Sequence, residues 1–233
     1  YLDGKNYLLN ICTDIKNYRI HLTTNPRPNP KVAPNFCMVL RKHLLGLHIK
    51  NIITNSLERI VTIEFEGFDD IDDIISKKLV VELMGKHCNI ILLDDNNVII
   101  DSLRHINNEN STHIVVPHIK YTYPQTSKYN FMDYMEFDSF CNVIDVDELN
   151  ELPICISNKF NGISKTFVEH IIAKLNITIL NNESLLAIFE YIKTVIVNTD
   201  SLNLEFEIAS ILNTNNNKVS KDYFLMPSNN NTD

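Results

Sequence analysis

Along the first hundred residues the apolar positions come in short runs rich in Ile and Val, cut at intervals by Asn, Asp, Gly and Pro. YLLNICT and YRIHLTT flank the turn-like DIKN, and HIKNIITN, ERIVTIEFEG, KKLVVELMG, NIILLD and VIIDSL continue the pattern. Side chains stiff at χ1 fit a pleated surface, and the bounding turn formers keep each run short, so the pattern predicts strands. The stretch ELMGKHCNIILLDDNNVIIDSLRHI, residues 82–106, reads as a β-hairpin with IILL and VII joined by DDNN. FDDIDD (68–73) is an acidic connection, and VPHIKYTYP closes the region as an extended wrap over the sheet. One helix interrupts the strands. NPRPNPKVAP carries four of the eight prolines and excludes regular structure; after it NFCMVLRKHLLGL sets Phe36, Val39, Leu40, Leu44 and Leu47 at helical spacing, with Gly46 placed for a left-handed cap.

From about residue 130 the period changes from two to that of a helix. FNGISKTFVEHIIAKL puts Gly162 in a tight turn, Ser164 at an N-cap and Phe167, Val168, Ile171, Ile172 and Leu175 on one face. ESLLAIFEYIKTVI repeats the spacing with Leu185, Ile188, Phe189, Ile192, Val195 and Ile196. LNLEFEIASILN and VSKDYFLM, split by TNNNK, predict a terminal hairpin, and PSNNNTD a frayed end. The fold class is therefore α+β: a mostly antiparallel β-sheet domain over 1–127, followed by a helical domain over 128–233.

Composition narrows the function classes. A chain that is 44% hydrophobic and 21% charged is globular, and a net charge of −8 argues against a surface that coats nucleic acid along its whole length. No run approaches the roughly 18 apolar residues of a membrane span, and no signal peptide is visible, so no membrane partner is expected. Opening on Tyr1 without Met, in what looks like a strand, predicts a fragment. Five scattered cysteines support neither a disulfide framework nor a CxxC site and fit a reducing cytoplasm. Five glycines leave no GxGxxG or phosphate-binding loop, and there is no GxSxG elbow. The histidines lack metal-ligand spacing. Neither a cofactor nor a metal is expected.

Charge is uneven along the sheet domain. Residues 33–59 hold Arg41, Lys42, Lys50 and Arg59 against Glu58 alone, whereas 64–73 hold six acids and no base. If the helix end meets the ends of the hairpin, then Arg41, Lys42, His43, Lys86, His87, Arg104 and His105 form a patch able to neutralise several phosphates. Solvated strand ends and helix faces account for such charges equally well. Arg59 has a fork suited to a phosphate or base edge, with Glu58 beside it to orient it or to accept from an amino group; a surface ion pair is the plainer reading. The Asn161-Gly162-Ser164 turn has the form of a helix-hairpin-helix device that presents backbone N–H groups to a phosphate, or of simple packing.

APNFCMVLRKHLLG (33–46), LERIVTIEF (57–65), VVELMGKHCNIILLD (80–94), VIIDSLRHI (98–106), VVPHIKYTYP (115–124) and FNGISKTFVEHII (160–172), in this order, resemble the N-terminal part of the RqcH/NEMF family. That family takes in the FbpA-type fibronectin-binding proteins. The resemblance implies an NFACT-N domain, akin in fold to the N-terminal domain of formamidopyrimidine-type DNA glycosylases, and then a helix-hairpin-helix domain. It implies a role in ribosome-associated quality control: binding the large ribosomal subunit that still holds peptidyl-tRNA, and recruiting alanyl-tRNA for C-terminal alanine tailing of stalled chains. The family's Asp-Arg pair for tRNA falls on Glu58-Arg59, one methylene longer at the acid, and its GRHSN block reads GKHCN, with Lys86 in place of the Arg and Cys88 in place of the Ser. The coiled coil and NFACT-R domain of the family imply a longer full-length protein. On this reading the ribosome makes the bonds and the chain is no enzyme. The alternative is an adhesin for fibronectin or fibrinogen, with surface exposure.

Overall fold

The computed structural model describes residue 4 and residues 6–54, 57–69, 71–108, 112–200, 206–212 and 219–227, with side chains up to residue 198. The chain forms two compact units, Tyr1–Ser127 and Lys128–Asp233.

In the first unit β1 (Leu8–Cys12) and β2 (Arg19–Thr23) pair as an antiparallel hairpin, followed by α1 (Asn35–Leu44). β3 (His48–Thr54), β4 (Ile60–Phe68), β5 (Ile74–Glu82), β6 (Asn89–Leu93) and β7 (Ile99–Ser102) then form a five-stranded antiparallel meander in chain order. Strand alternation splits its apolar residues between two faces. Ile60, Val80, Ile91, Leu93 and Ile99 pack under Val115 and Tyr121 of the expected wrap. Ile63, Leu79 and Leu92 pack against Phe36 of α1 and the half-buried Ile11 and Ile20 of the β1–β2 hairpin. Apolar side chains of β4 to β7 are thereby covered on both faces, which accounts for runs with little polar alternation there, while β3 is exposed along its length.

Local chemistry fixes the joints. Between β6 and β7 the Asp94 carboxylate accepts from the N–H groups of Asn96 and Val98, while Asn97 takes a left-handed φ of 62°. Gly46 closes α1 at φ 88°, and Gly67 of β4 makes room for the Leu47 side chain, which a Cβ there would meet at 2.6 Å. The wrap runs beside β7: His118 N–H donates to the Ile99 carbonyl, and Ile99 N–H to that of Ile119, both at 2.8 Å. This covers an edge that would otherwise stay open.

The second unit packs α2 (Phe137–Cys141), α3 (Leu152–Lys159), α4 (Lys165–Lys174) and α5 (Asn182–Asp200) around Phe131, Phe140, Phe160 and Phe189. Phe140 stacks on Phe160 at 5.4 Å and lies 5.2 Å from Phe189. Asn181 and Ser184 cap α5 reciprocally, each side chain accepting from the other's N–H at 2.8 and 2.9 Å. Leu175, expected on the apolar face of α4, instead ends the helix as its C-cap and is exposed. β8 (Phe206–Leu212) pairs with β9 (Val219–Pro227), antiparallel. The frayed end expected over 227–233 lies, from residue 228 on, outside the described residues.

Candidate nucleic-acid interface

Arg59 stands one residue before β4. Its carbonyl accepts from Leu83 N–H at 2.8 Å, just past the last β4–β5 rung, Ile60 opposite Glu82. The guanidinium is exposed and lies over the Tyr18 ring, 5.2 Å from its centroid, and Nη1 donates to the Tyr18 hydroxyl. The stacking holds the fork while leaving its charge intact. Glu58, half-buried, sits in the same bend as Arg59, and its charge is among those that raise the Tyr121 hydroxyl pKa. The group that orients Arg59 is Tyr18 of the β1–β2 hairpin, 41 residues away along the chain, which no local pattern marks.

Arg104 reaches the same strand end by another route. Asn89, wholly buried, accepts from Arg104 N–H at 3.0 Å and donates to the Arg104 carbonyl at 2.9 Å, and Ser102 Oγ donates to that carbonyl at 3.0 Å. With its main chain clamped, Arg104 extends Nη1 to the Cys88 carbonyl at 3.2 Å and Nη2 toward the Thr13 carbonyl at 3.5 Å. Lys86 and His87 occupy a single 3-10 turn, Gly85–His87, and are exposed; Gly85 has φ 59°. Burial pushes the Cys88 thiol pKa up, against the nearby charges of Arg104 and Arg59. Arg59, Arg104, Lys86 and His87 thus gather at one end of the sheet.

Three of the expected residues lie elsewhere. Arg41, Lys42 and His43 form the last turn of α1, where cations meet the negative end of the helix dipole. Burial lowers the His43 pKa, with help from Lys42 and Lys77, and Lys77 sits five residues back from Glu82 along β5, roughly 17 Å at the rise of a strand. His105 faces Asp101 at 2.7 Å. In the second unit Asn161 Oδ1 accepts from Gly162 N–H at 3.1 Å, Gly162 has φ 74°, and Ser164 Oγ accepts from Phe167 N–H at 3.1 Å, between α3 and α4.

The end of β5 holds a polar cluster that carries no local mark in the sequence. Glu82, 0% exposed, takes the Tyr121 hydroxyl and His113 Nε2 on one oxygen, each at 2.8 Å. Burial and the Glu82 charge push the Tyr121 hydroxyl pKa far up. Glu82 ends an apolar strand, and its partners come from 31 and 39 residues away, so no local signal marked it.

All 233 residues match the family described as NFACT N-terminal and middle domains. The chain belongs to this family. Among NFACT relatives, the "Rqc2 homolog RqcH" of Bacillus subtilis (strain 168) is 33% identical over 195 residues, covering 82% of this chain and 34% of the relative. The protein of the same name from Streptococcus suis is 32% identical over 170 residues, covering 70% and 30%. The chain thus spans about a third of the length of these curated relatives. Of solved NFACT-like structures, the fibrinogen-binding protein from Staphylococcus aureus superposes with a TM-score of 0.76 at 26% identity, covering 99% of this chain and 78% of that one. The N-terminal part of the fibronectin/fibrinogen-binding protein from Streptococcus suis gives 0.67 at 27%, covering 81% and 70%. Among the described residues no helix is long and apolar enough to cross a membrane, and no group of His, Cys, Asp and Glu could hold a metal ion.

Proposed function

We propose that this NFACT chain is the tRNA-contacting part of a cytoplasmic ribosome quality-control factor. It engages alanyl-tRNA on the obstructed large ribosomal subunit, where peptidyl-tRNA remains, in support of alanine tailing of stalled chains. The observation that carries the reading is the gathering of Arg59, Arg104, Lys86 and His87 at one sheet end, with both guanidinium groups held by neutral partners. A fork whose partners are a phenol and carbonyls keeps its full charge for a phosphate. The role is one of positioning; the chain itself makes no bond. In the second unit the Phe160–Ser164 turn is read as a helix-hairpin-helix, with the N–H groups that open α4 facing backbone phosphate.

The test is the affinity of this chain for alanyl-tRNA and bulk tRNA across a salt series, beside Glu58→Ala, Arg59→Ala. Binding should fall steeply with salt, and the double variant should bind about tenfold more weakly or worse, since a charged hydrogen bond contributes roughly 1.5–3 kcal/mol. Equal binding by parent and variant refutes the Arg59 assignment. The printed titles of the structural neighbours favour a second reading, binding of fibronectin or fibrinogen. Saturable, salt-insensitive binding of fibronectin by this chain, with no tRNA binding, would establish it instead.

A further inference from the structure

The chain has five arginines, Arg19, Arg27, Arg41, Arg59 and Arg104, all in the first unit, against 29 acidic residues. Among the described residues none of the five lies in an ion pair; every pair with a carboxylate is made by Lys or His. In a chain with more acids than bases, uniform avoidance of carboxylates leaves these guanidinium groups available to an anion from outside. Two of them, Arg19 and Arg27, belong to no part of the site already described, and both line one open cavity of about 470 Å³ with Cys12, Asp14, Asn17 and Tyr18.

Tyr18 is the link. Its side chain lines this cavity and also carries Arg59, and Thr13, in the same β1–β2 turn, is the carbonyl toward which Arg104 reaches. The hairpin therefore brings the cavity up against the strand-end arginines. Arg19 opens β2 opposite Cys12, and its Nη1 is held by the Asn17 carbonyl at 2.6 Å, which fixes the fork. Arg27 is exposed and makes no hydrogen bond or ion pair among the described residues. The one acid among the described residues lining the cavity, Asp14, has its Oδ1 on Lys16 N–H at 2.8 Å, part of the turn itself.

We propose that Arg19 and Arg27 form a second phosphate subsite, which takes a backbone phosphodiester of the same RNA segment that Arg59 and Arg104 hold. The inference rests on the tRNA-binding reading above. Two forks at the cavity and two at the strand end, joined through Tyr18 and the β1–β2 turn, offer a polyanion several points of contact, which a single carboxylate or free phosphate would fill only at one.

The experiment is a salt series of tRNA binding with the parent chain, Arg27→Gln, Arg19→Gln and Arg59→Ala, each checked for its thermal midpoint. Arg27→Gln is decisive, because that side chain holds nothing among the described residues. It should leave the midpoint unchanged, weaken tRNA binding roughly tenfold at low salt and lower the slope of log K against log salt by about 0.7–0.9. An Arg27→Gln chain with the parent's affinity and slope, while Arg59→Ala loses both, overturns the subsite and leaves the tRNA reading standing. If the parent binds no tRNA, both fall together. Poly-glutamate serves as the competing probe: loss of poly-glutamate binding in Arg27→Gln with tRNA binding intact assigns the cavity to an acidic polypeptide and also overturns the proposal.

Discussion

At the scale of single residues, the interface depends on side chains that never touch a ligand. Asn89 carries no charge and is wholly buried, yet it holds both the N–H and the carbonyl of Arg104. Asn89→Ala should destabilise the sheet unit by about 1–3 kcal/mol, since it leaves the part-buried Arg104 N–H without its acceptor while Ser102 Oγ still serves the carbonyl. Arg104→Ala should leave stability within about 0.5 kcal/mol, as is usual for an exposed site. Denaturant midpoints separate the two, and tRNA affinity should fall in both. Arg59, Arg104, Lys86 and His87 were legible as bases at strand ends. Tyr18 and Asn89 were not, because what selects them is a partner 41 and 15 residues away. Nor could sequence show that Arg41, Lys42 and His43 sit apart, since helical spacing says nothing about which end of a sheet a helix end meets.

At the scale of elements the strand and helix pattern was read well, for a physical reason: β-branched runs and Asn/Asp turns act locally. The misses lie at joints. β5 begins at Ile74, ahead of the KKLVVELMG run, because pairing along the whole of β4 carries the ladder back through Ser76, Ile75 and Ile74 to the acidic connection. Lys86 and His87 do stand at the outer end of the hairpin, in the β5–β6 connection just ahead of β6. α4 shows a local rule holding: Ser164 caps it as its sequence suggests, with Gly162 at φ 74° just before. Ser164→Ala should cost about 1 kcal/mol of stability in the second unit. Gly162→Ala, forced into a left-handed backbone, should cost roughly 1–2 kcal/mol. Thermal unfolding followed by circular dichroism tests both.

For the whole molecule, two units with separate cores mean that damage can be confined. Phe160, 0% exposed, packs on Phe131, Phe140 and Tyr134 within the second unit, and Phe160→Ala should destabilise that unit by about 3–5 kcal/mol. Amide hydrogen exchange should then quicken in α3 to α5 while β4 to β6 keep their protection; loss of protection throughout would show that the units unfold as one. The arginine distribution has a consequence for how the molecule meets its partner. The 14 Lys and Arg of the first unit balance its 14 Asp and Glu, whereas the second unit holds 7 against 15, so the net charge of −8 belongs to the second unit. A polyanion meets net repulsion from the second unit and attraction only where cations of the first gather. Collisions are thus sorted by orientation before any contact forms, and such a body docks one way round in preference to sliding along nucleic acid of any sequence.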